Sequence, residues 1–167
     1  MDAILVSAWD ALVNLFLPGF TAPTGEVFVR LIRGWVLCTG RRTVTGLIRA
    51  GDPGGLRAHD AYHRFLRRAR WSMDDLWRRL FQILIERHCP RGRLVLHLDD
   101  TLFHRSGRKV DGAAWWRDAV RSTRSKIVHA WGLNLLVLSL RVEPPWGGEP
   151  LSLPILVRLH RRQHNNI

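Results

Sequence analysis

Residues 93–101 read Arg-Leu-Val-Leu-His-Leu-Asp-Asp-Thr, an apolar, strand-forming run that ends in two adjacent carboxylates, Asp99 and Asp100. A strand end holds a side chain rigidly while leaving it within reach of solvent and substrate. Carboxylates there are natural ligands for a hard divalent cation such as Mg²⁺, and they suit phosphoryl chemistry on a polyanion. Asp-Asp-Thr also ends strands and caps turns, so a purely structural role stays open.

The composition indicates a basic globular protein. The chain has 167 residues, a 46% hydrophobic fraction and a net charge of +12, which together exclude wholesale disorder and favour an anionic partner. Lys109 and Lys126 are the only lysines among 26 basic residues. The planar arginine fork suits phosphate and guanine contacts, so nucleic acid is the preferred partner. Cys38 and Cys89 fit no metal-ligand spacing, and we expect a reducing, cytoplasmic environment.

The apolar N-terminal segment, residues 4–20, is predicted to be an amphipathic helix rather than a membrane anchor or signal peptide. Asp10 and Asn14 interrupt it, and the first basic residue is Arg30, whereas a signal peptide carries positive charge before its apolar core. Apolar spacing and turn residues predict four further helices before Pro90. Those helices cover a segment around residues 28–39, then 43–50, 59–68 and 72–89.

Basic residues concentrate in two places. The first is the helical segment from Arg57 to Arg93, whose densest part contains Arg64, Arg67, Arg68 and Arg70. Three- and four-residue spacing places Arg64, Arg67 and Arg68 on one helix face that could follow a phosphate backbone, although a solvated basic face that binds nothing is equally compatible.

The second basic region is a predicted loop, residues 102–126, between the first two of three predicted strands. These strands cover residues 94–98, 127–140 and 153–159. The loop has Trp115-Trp116 at its middle, an arrangement suited to phosphates and an unpaired base, although at least one of the two rings is expected to be buried. Its candidate DNA contacts are Arg105, Arg108, Lys109, Arg121, Arg124 and Lys126.

Several short motifs resemble DDE-type transposases of bacterial insertion sequences, which are ribonuclease H-like DDE superfamily endonucleases. The order and spacing of the motifs carry the resemblance, which covers most of residues 25–162. The motifs are Leu98-Asp99-Asp100-Thr101-Leu102-Phe103, Ser106-Gly107-Arg108-Lys109 and Lys126-Ile127-Val128-His129 in the second half, with Thr39-Gly40-Arg41-Arg42-Thr43-Val44-Thr45, Tyr62-His63-Arg64-Phe65-Leu66 and Arg70-Trp71-Ser72 upstream.

The resemblance implies an α+β fold and a metal-dependent reaction. An N-terminal helical, DNA-binding region (1–90) would precede the first three antiparallel strands of an incomplete ribonuclease H-like sheet (91–167). Two Asp and one Glu of such enzymes hold Mg²⁺ ions for attack on a DNA phosphodiester. In the family the first acid commonly stands directly before a Thr, so it falls on Asp100, with Asp99 as second choice. If the strand continues through both, alternation lets only one of them face the metals.

The chain departs from the family pattern after the third predicted strand, where the second Asp and the Glu are expected. Glu143 and Glu149 lie in or beside a hairpin turn, the wrong place for the third acid. We therefore expect an N-terminal transposase fragment, inactive alone, that binds the DNA of transposon ends in the nucleoid and can pair with another transposase chain. The alternative is a non-catalytic DNA-binding module or an inhibitor of intact transposase.

Overall fold

The structure is a computed structural model that describes residues 3–89, 93–107 and 109–162. The chain divides into two compact units, Met1–Leu80 and Phe81–Ile167, and the division falls inside the last helix. The predicted domain boundary between residues 90 and 91 lies outside the described residues and stays a prediction. The α+β class, with helices first and antiparallel strands after them, is confirmed.

Five α-helices and one short 3₁₀ turn form the first part of the chain. Thr43 begins the third helix by accepting a hydrogen bond from the Gly46 N–H, and Pro18 lies in the 3₁₀ turn that follows the first helix. Among the described residues, no helix combines the length and the apolar character needed to cross a bilayer. The helices are α1 (Ala3–Asn14), α2 (Ala22–Leu37), α3 (Val44–Gly51), α4 (His59–Arg68) and α5 (Met73–His88), and the 3₁₀ turn is Leu17–Gly19.

The core of the first unit lies where α2, α3 and α4 meet. Its buried members are Val27, Leu31, Cys38, Leu47, Tyr62 and Phe65. Two glycines let α2 and α3 approach closely: a Cβ on Gly34 would lie 2.1 Å from the Leu47 carbonyl oxygen, and one on Gly51 would lie 2.0 Å from the Arg30 carbonyl oxygen. The α2–α3 contact therefore requires residues without side chains at both positions.

The second unit contains a four-stranded antiparallel sheet that is not closed. The strands are β1 (Leu96–His104), β2 (Ala114–Arg117), β3 (His129–Val142) and β4 (Leu151–His160). Strand β3 is central: it pairs with β1 along one edge, and with β2 and then β4 along the other. A register shift between Leu138 and Ser139 marks a bulge against β4.

Two details of the predicted sheet are wrong. Strand β1 does not end at the two acids but continues to His104, because Thr101–His104 pair with Leu135–Gly132 of β3. The predicted loop also contains a fourth, short strand, β2, which pairs with the start of β3. One tryptophan of the Trp115-Trp116 pair is buried, as expected: Trp116 is 9% exposed, whereas Trp115 is 56% exposed.

Candidate active site

Asp99 and Asp100 lie in the middle of an edge strand. The Arg141 N–H donates to the Val95 carbonyl and the Arg105 N–H donates to the Trp131 carbonyl, so odd-numbered residues of β1 direct their backbone groups toward β3. Asp100, an even-numbered residue, therefore directs its backbone N–H and C=O to the outer edge, which no described strand pairs. A carboxylate at this position is held by the sheet yet open to an incoming group.

The Asp100 carboxylate contacts a buried amide on the neighbouring strand. Asn134 Nδ2 donates to Asp100 Oδ2 at 3.2 Å, and Asn134 is 7% exposed whereas Asp100 is exposed. The β1–β3 register pairs Asp100 with Leu136 and Leu102 with Asn134, which places the two polar side chains diagonally on one sheet face. Asp100 Oδ1 accepts no hydrogen bond from the described residues and is open to a ligand.

Asp99 occupies a different environment. Its side chain belongs to the opposite face of β1, and its Oδ1 accepts a hydrogen bond from the Asp100 backbone N–H at 2.9 Å. This contact satisfies a donor at the unpaired edge of β1. The structure therefore pairs Asp100, and not Asp99, with the polar group on β3.

A hollow of about 490 Å³ lies beside Asp100. Trp116, Arg117 and His160 join Asp99, Asp100 and Asn134 around it, with Leu98 and Leu136 completing the lining. Two groups contact the Trp116 ring. The centroid of the His160 ring lies 4.7 Å from the Trp116 ring centroid, and the Arg162 guanidinium carbon lies 5.6 Å from it. The hollow thus combines the Asp100 carboxylate with groups that can contact a phosphate.

Two residues of this hollow each bury a polar atom that has no partner in the described part of the chain. Neither Trp116 Nε1 nor Asn134 Oδ1 has a hydrogen-bond partner among the described residues. Leaving a buried polar atom unpaired costs about 1–3 kcal/mol, so such atoms call for an explanation other than stability.

The donors at Asp100 fit part of a metal site. An exposed carboxylate with one free oxygen matches the oxygen ligands that Mg²⁺ prefers. Within the described ranges, no group of three or more His, Cys, Asp or Glu side chains could enclose an ion. Glu143 is ion-paired with Arg141 at 3.5 Å in the β3–β4 connection. The chain therefore presents a single well-placed carboxylate, with Asp99 beside it on the other face.

The basic loop between β1 and β3 is organised by a buried acid. Asp118 is 3% exposed and accepts hydrogen bonds from the Arg121 N–H at 3.0 Å and from His104 Nε2 at 2.9 Å. The backbone bond from Arg121, together with His104 and the Arg121 charge, holds the pKa of the Asp118 carboxyl below its usual range despite the opposing effect of burial. A charged Asp118 thus anchors the loop that presents the basic side chains.

The candidate DNA contacts of this loop are exposed in the structure, with Arg108 outside the described residues. The Arg121 guanidinium lies 3.6 Å from the Asp118 carboxylate. Four other cations of the loop form no ion pair with a described residue: Arg105, Lys109, Arg124 and Lys126.

Trp115 lies on β2, on the sheet face opposite to Trp116. Its ring packs edge-on against Trp131 at 6.0 Å, and Trp131 Nε1 donates to the Gly107 carbonyl at 2.9 Å. Trp115 is therefore held by its contact with Trp131 and is more than half exposed, as a surface for base stacking requires.

The predicted arginine face of α4 exists. Tyr62 and Phe65 belong to the buried core, whereas Arg64, Arg67 and Arg68 are exposed on the helix and Arg70 is exposed after its end. Arg64 pairs with Asp60 at 3.2 Å, and Arg67, Arg68 and Arg70 form no ion pair with a described residue. Arg57, Arg64 and Arg68 also edge a hollow of about 340 Å³ whose lining includes Phe65.

Sequence reasoning missed the buried network that supports this face. Asp52 accepts hydrogen bonds from the Tyr62 hydroxyl at 2.6 Å and from the backbone N–H groups of Leu56 and Arg57. Glu26 forms an ion pair with the Arg57 guanidinium. The sequence predicts only a turn at Gly51-Asp52-Pro53-Gly54-Gly55. It does not indicate that Asp52 bonds to Tyr62, ten residues later.

Asn134, Asp118 and His104 were also missed. A polar residue inside the apolar run Leu133-Asn134-Leu135 was the one available signal, because an amide in a buried strand needs a partner. No local pattern linked His104 to Asp118.

An open carboxylate on the first strand of an antiparallel sheet, with exposed basic side chains in both units, defines a protein that acts on or binds an anionic substrate. The chain belongs to the DDE superfamily endonucleases, whose family profile matches residues 15–158. Members of this superfamily act on DNA and generally use divalent metal ions. No curated protein and no solved structure matches the chain.

Proposed function

We propose that this chain is the part of a bacterial insertion-sequence DDE transposase that contributes the first catalytic aspartate and DNA contacts. The family match and the position of Asp100 in a hollow with Arg117 support it. Asp100 would hold Mg²⁺, which supplies polarisation of the phosphodiester and activation of the attacking hydroxyl. Arg117 and the loop cations would bind the phosphates. Trp115, which lies on the sheet face opposite to Asp100, would stack on an unpaired base outside the hollow.

The proposal includes two partner acids, an Asp and a Glu, supplied by another segment or another transposase chain. Asp99 is the one other carboxylate that lines the described hollow with Asp100, and it belongs to the opposite face. We therefore propose that this polypeptide alone binds transposon ends in the nucleoid without cutting them.

A nicking assay tests the proposal. The 167-residue chain is incubated with Mg²⁺ and a supercoiled plasmid that carries the DNA flanking its gene, alone and after addition of a polypeptide that supplies the partner acids. We expect no nicking by the chain alone and nicking by the mixture. In the mixture, Asp100→Asn should abolish nicking, whereas the matched control Asp99→Asn should retain most of it.

Two outcomes would contradict parts of the proposal. Nicking by the chain alone that is lost in Asp100→Asn would overturn the need for partner acids. Nicking by the mixture that survives Asp100→Asn would overturn the assignment of Asp100.

The second candidate function is a non-catalytic DNA-binding module or transposase inhibitor. The observation that favours it is the exposed arginine face of α4, which needs no metal to bind phosphates. Such a module would bind DNA equally well with Asp100→Asn and would reduce cleavage when added to intact transposase.

A further inference from the structure

We infer that Asn134 is a positioning residue for Asp100, which holds one carboxylate oxygen so that the other is presented to a divalent cation. This inference rests on the proposed function. Three observations carry it: the 3.2 Å hydrogen bond from Asn134 Nδ2 to Asp100 Oδ2, the burial of Asn134, and the unpartnered Asn134 Oδ1 among the described residues.

The fold itself does not need an amide at this position. Asn134 lies in the run Leu133-Asn134-Leu135, and Trp116 and Leu136 line the same hollow, so an apolar side chain would fit the surroundings. Among the described residues the amide leaves one buried acceptor unpaired, and its side-chain donor bonds to an exposed carboxylate that water could solvate equally well. The benefit of Asn134 therefore falls on Asp100 and not on the stability of the sheet.

The backbone around Asn134 is suited to fixing a ligand. Asn134 lies in the central strand of the sheet, opposite Leu102 of β1 on one side and His160 of β4 on the other, so β3 has a paired neighbour along both edges at this position. A donor on such a rigid strand restricts the rotation of the Asp100 carboxylate and leaves Oδ1 free. Asp99 has no equivalent, since its contact is the backbone N–H of Asp100.

The test is a titration with Mn²⁺ as the probe ion, followed by paramagnetic broadening of ¹⁵N NMR signals of the full chain. This readout detects weak, local binding and does not require activity. Asn134→Leu should raise the Mn²⁺ concentration that half-broadens the Asp100 amide by about tenfold, the usual effect of removing an outer-shell partner. The same variant should unfold at a higher denaturant concentration, because it removes the unpaired acceptor.

Asn134→Asp tests where the ion lies. It places a second carboxylate beside Asp100, so Mn²⁺ should bind more tightly if the ion lies at Asp100. Asn134→Val replaces Asn134→Leu if leucine does not fold. Unchanged Mn²⁺ binding in the apolar variant, or no gain in Asn134→Asp, overturns the inference.

The control Asp100→Asn keeps this inference distinct from the proposed function. If Asp100→Asn removes Mn²⁺ broadening while Asn134→Leu does not change it, the positioning inference fails and the metal role of Asp100 stands. If Asp100→Asn leaves the broadening unchanged, the metal role of Asp100 fails, and the positioning inference fails with it.

Discussion

Asp99 and Asp100 have the same side chain but different surroundings. Because β1 continues through both, alternation sends them to opposite faces, and only Asp100 meets a polar group on β3. Asp99 instead caps an edge N–H. A single residue also organises the basic loop, because the conformation of this loop depends on one buried acid, Asp118.

Tyr62, the one tyrosine of the chain, provides a residue-scale prediction because its ionisation can be followed by phenolate absorbance. Burial and the hydrogen bond to Asp52 raise the pKa of Tyr62 to about 12. Since this folded-state pKa lies above the ordinary value of about 10, the contribution to stability is complete below pH 10 and is lost as the pH rises through about 12. We expect the phenol to titrate near pH 12 in the folded protein.

Tyr62→Phe tests the effect of the same hydrogen bond on the Asp52 carboxyl. The Tyr62 hydrogen bond is the largest cause that lowers the pKa of Asp52, so the stability from this carboxylate is present above the ordinary aspartate pKa and is lost as pH falls through the lower folded value. Removing the hydroxyl should lower the free energy of unfolding at neutral pH by about 1.5–3 kcal/mol, and by less in acid. A folded-state Tyr62 titration near pH 10 would contradict this account.

At the scale of elements, the spacing of apolar residues and the turn residues predicted five helices, and five are present among the described residues. Helix α4 matches its predicted range of 59–68. Strand β1 is longer than predicted because its second half gains pairing partners on β3, which no local pattern reports. The short strand β2 forms for the same reason, since its four residues pair with the start of β3.

Gly34→Ala tests the close approach of α2 and α3. A Cβ at this position would meet the Leu47 carbonyl at 2.1 Å, so the helices must separate. We expect a loss of about 1–3 kcal/mol in the free energy of unfolding, measured by denaturant titration. The matched control is Gly40→Ala, where a Cβ meets nothing within 4 Å and φ is not positive. Equal effects of the two substitutions would contradict the packing argument.

At the scale of the whole molecule, the net charge of +12 is carried by exposed side chains in both units. Such charge gives affinity for any DNA and makes that affinity depend on salt. Sequence preference needs base contacts in addition, which charge alone does not supply.

Neutralising the arginine face of α4 tests how much of this charge contacts DNA. For the variant with Arg64, Arg67 and Arg68 changed to Gln, we expect the slope of log affinity against log salt to flatten by about one unit for each lost phosphate contact. Asp100→Asn should leave the slope unchanged. The matched control is Arg78→Gln, because Arg78 is an exposed helical arginine outside this face that pairs with Asp75 at 2.7 Å, as Arg64 pairs with Asp60. A slope that the triple variant does not alter would mean that this face is only solvated.

The sequence by itself determined the α+β order, the helices, the three long strands, the basic surface and the membership of a DDE endonuclease family that directs attention to Asp100. The order of helices and strands and the basic surface depend on local periodicity, turn chemistry and composition, whereas the family membership depends on the order and spacing of short motifs. The partner acids and the DNA contacts remain predictions.

Only the tertiary structure decided which of the two aspartates is supported, and by what. Asn134 reaches Asp100 across 34 positions of sequence because the β1–β3 register brings Leu102 opposite Asn134; Tyr62 reaches Asp52 because α4 packs its inner face on the core. Shifting the register by one residue would send Asn134 to the other face. Contacts between distant residues depend on the pairing of whole strands and helices, and a local pattern contains no record of that pairing.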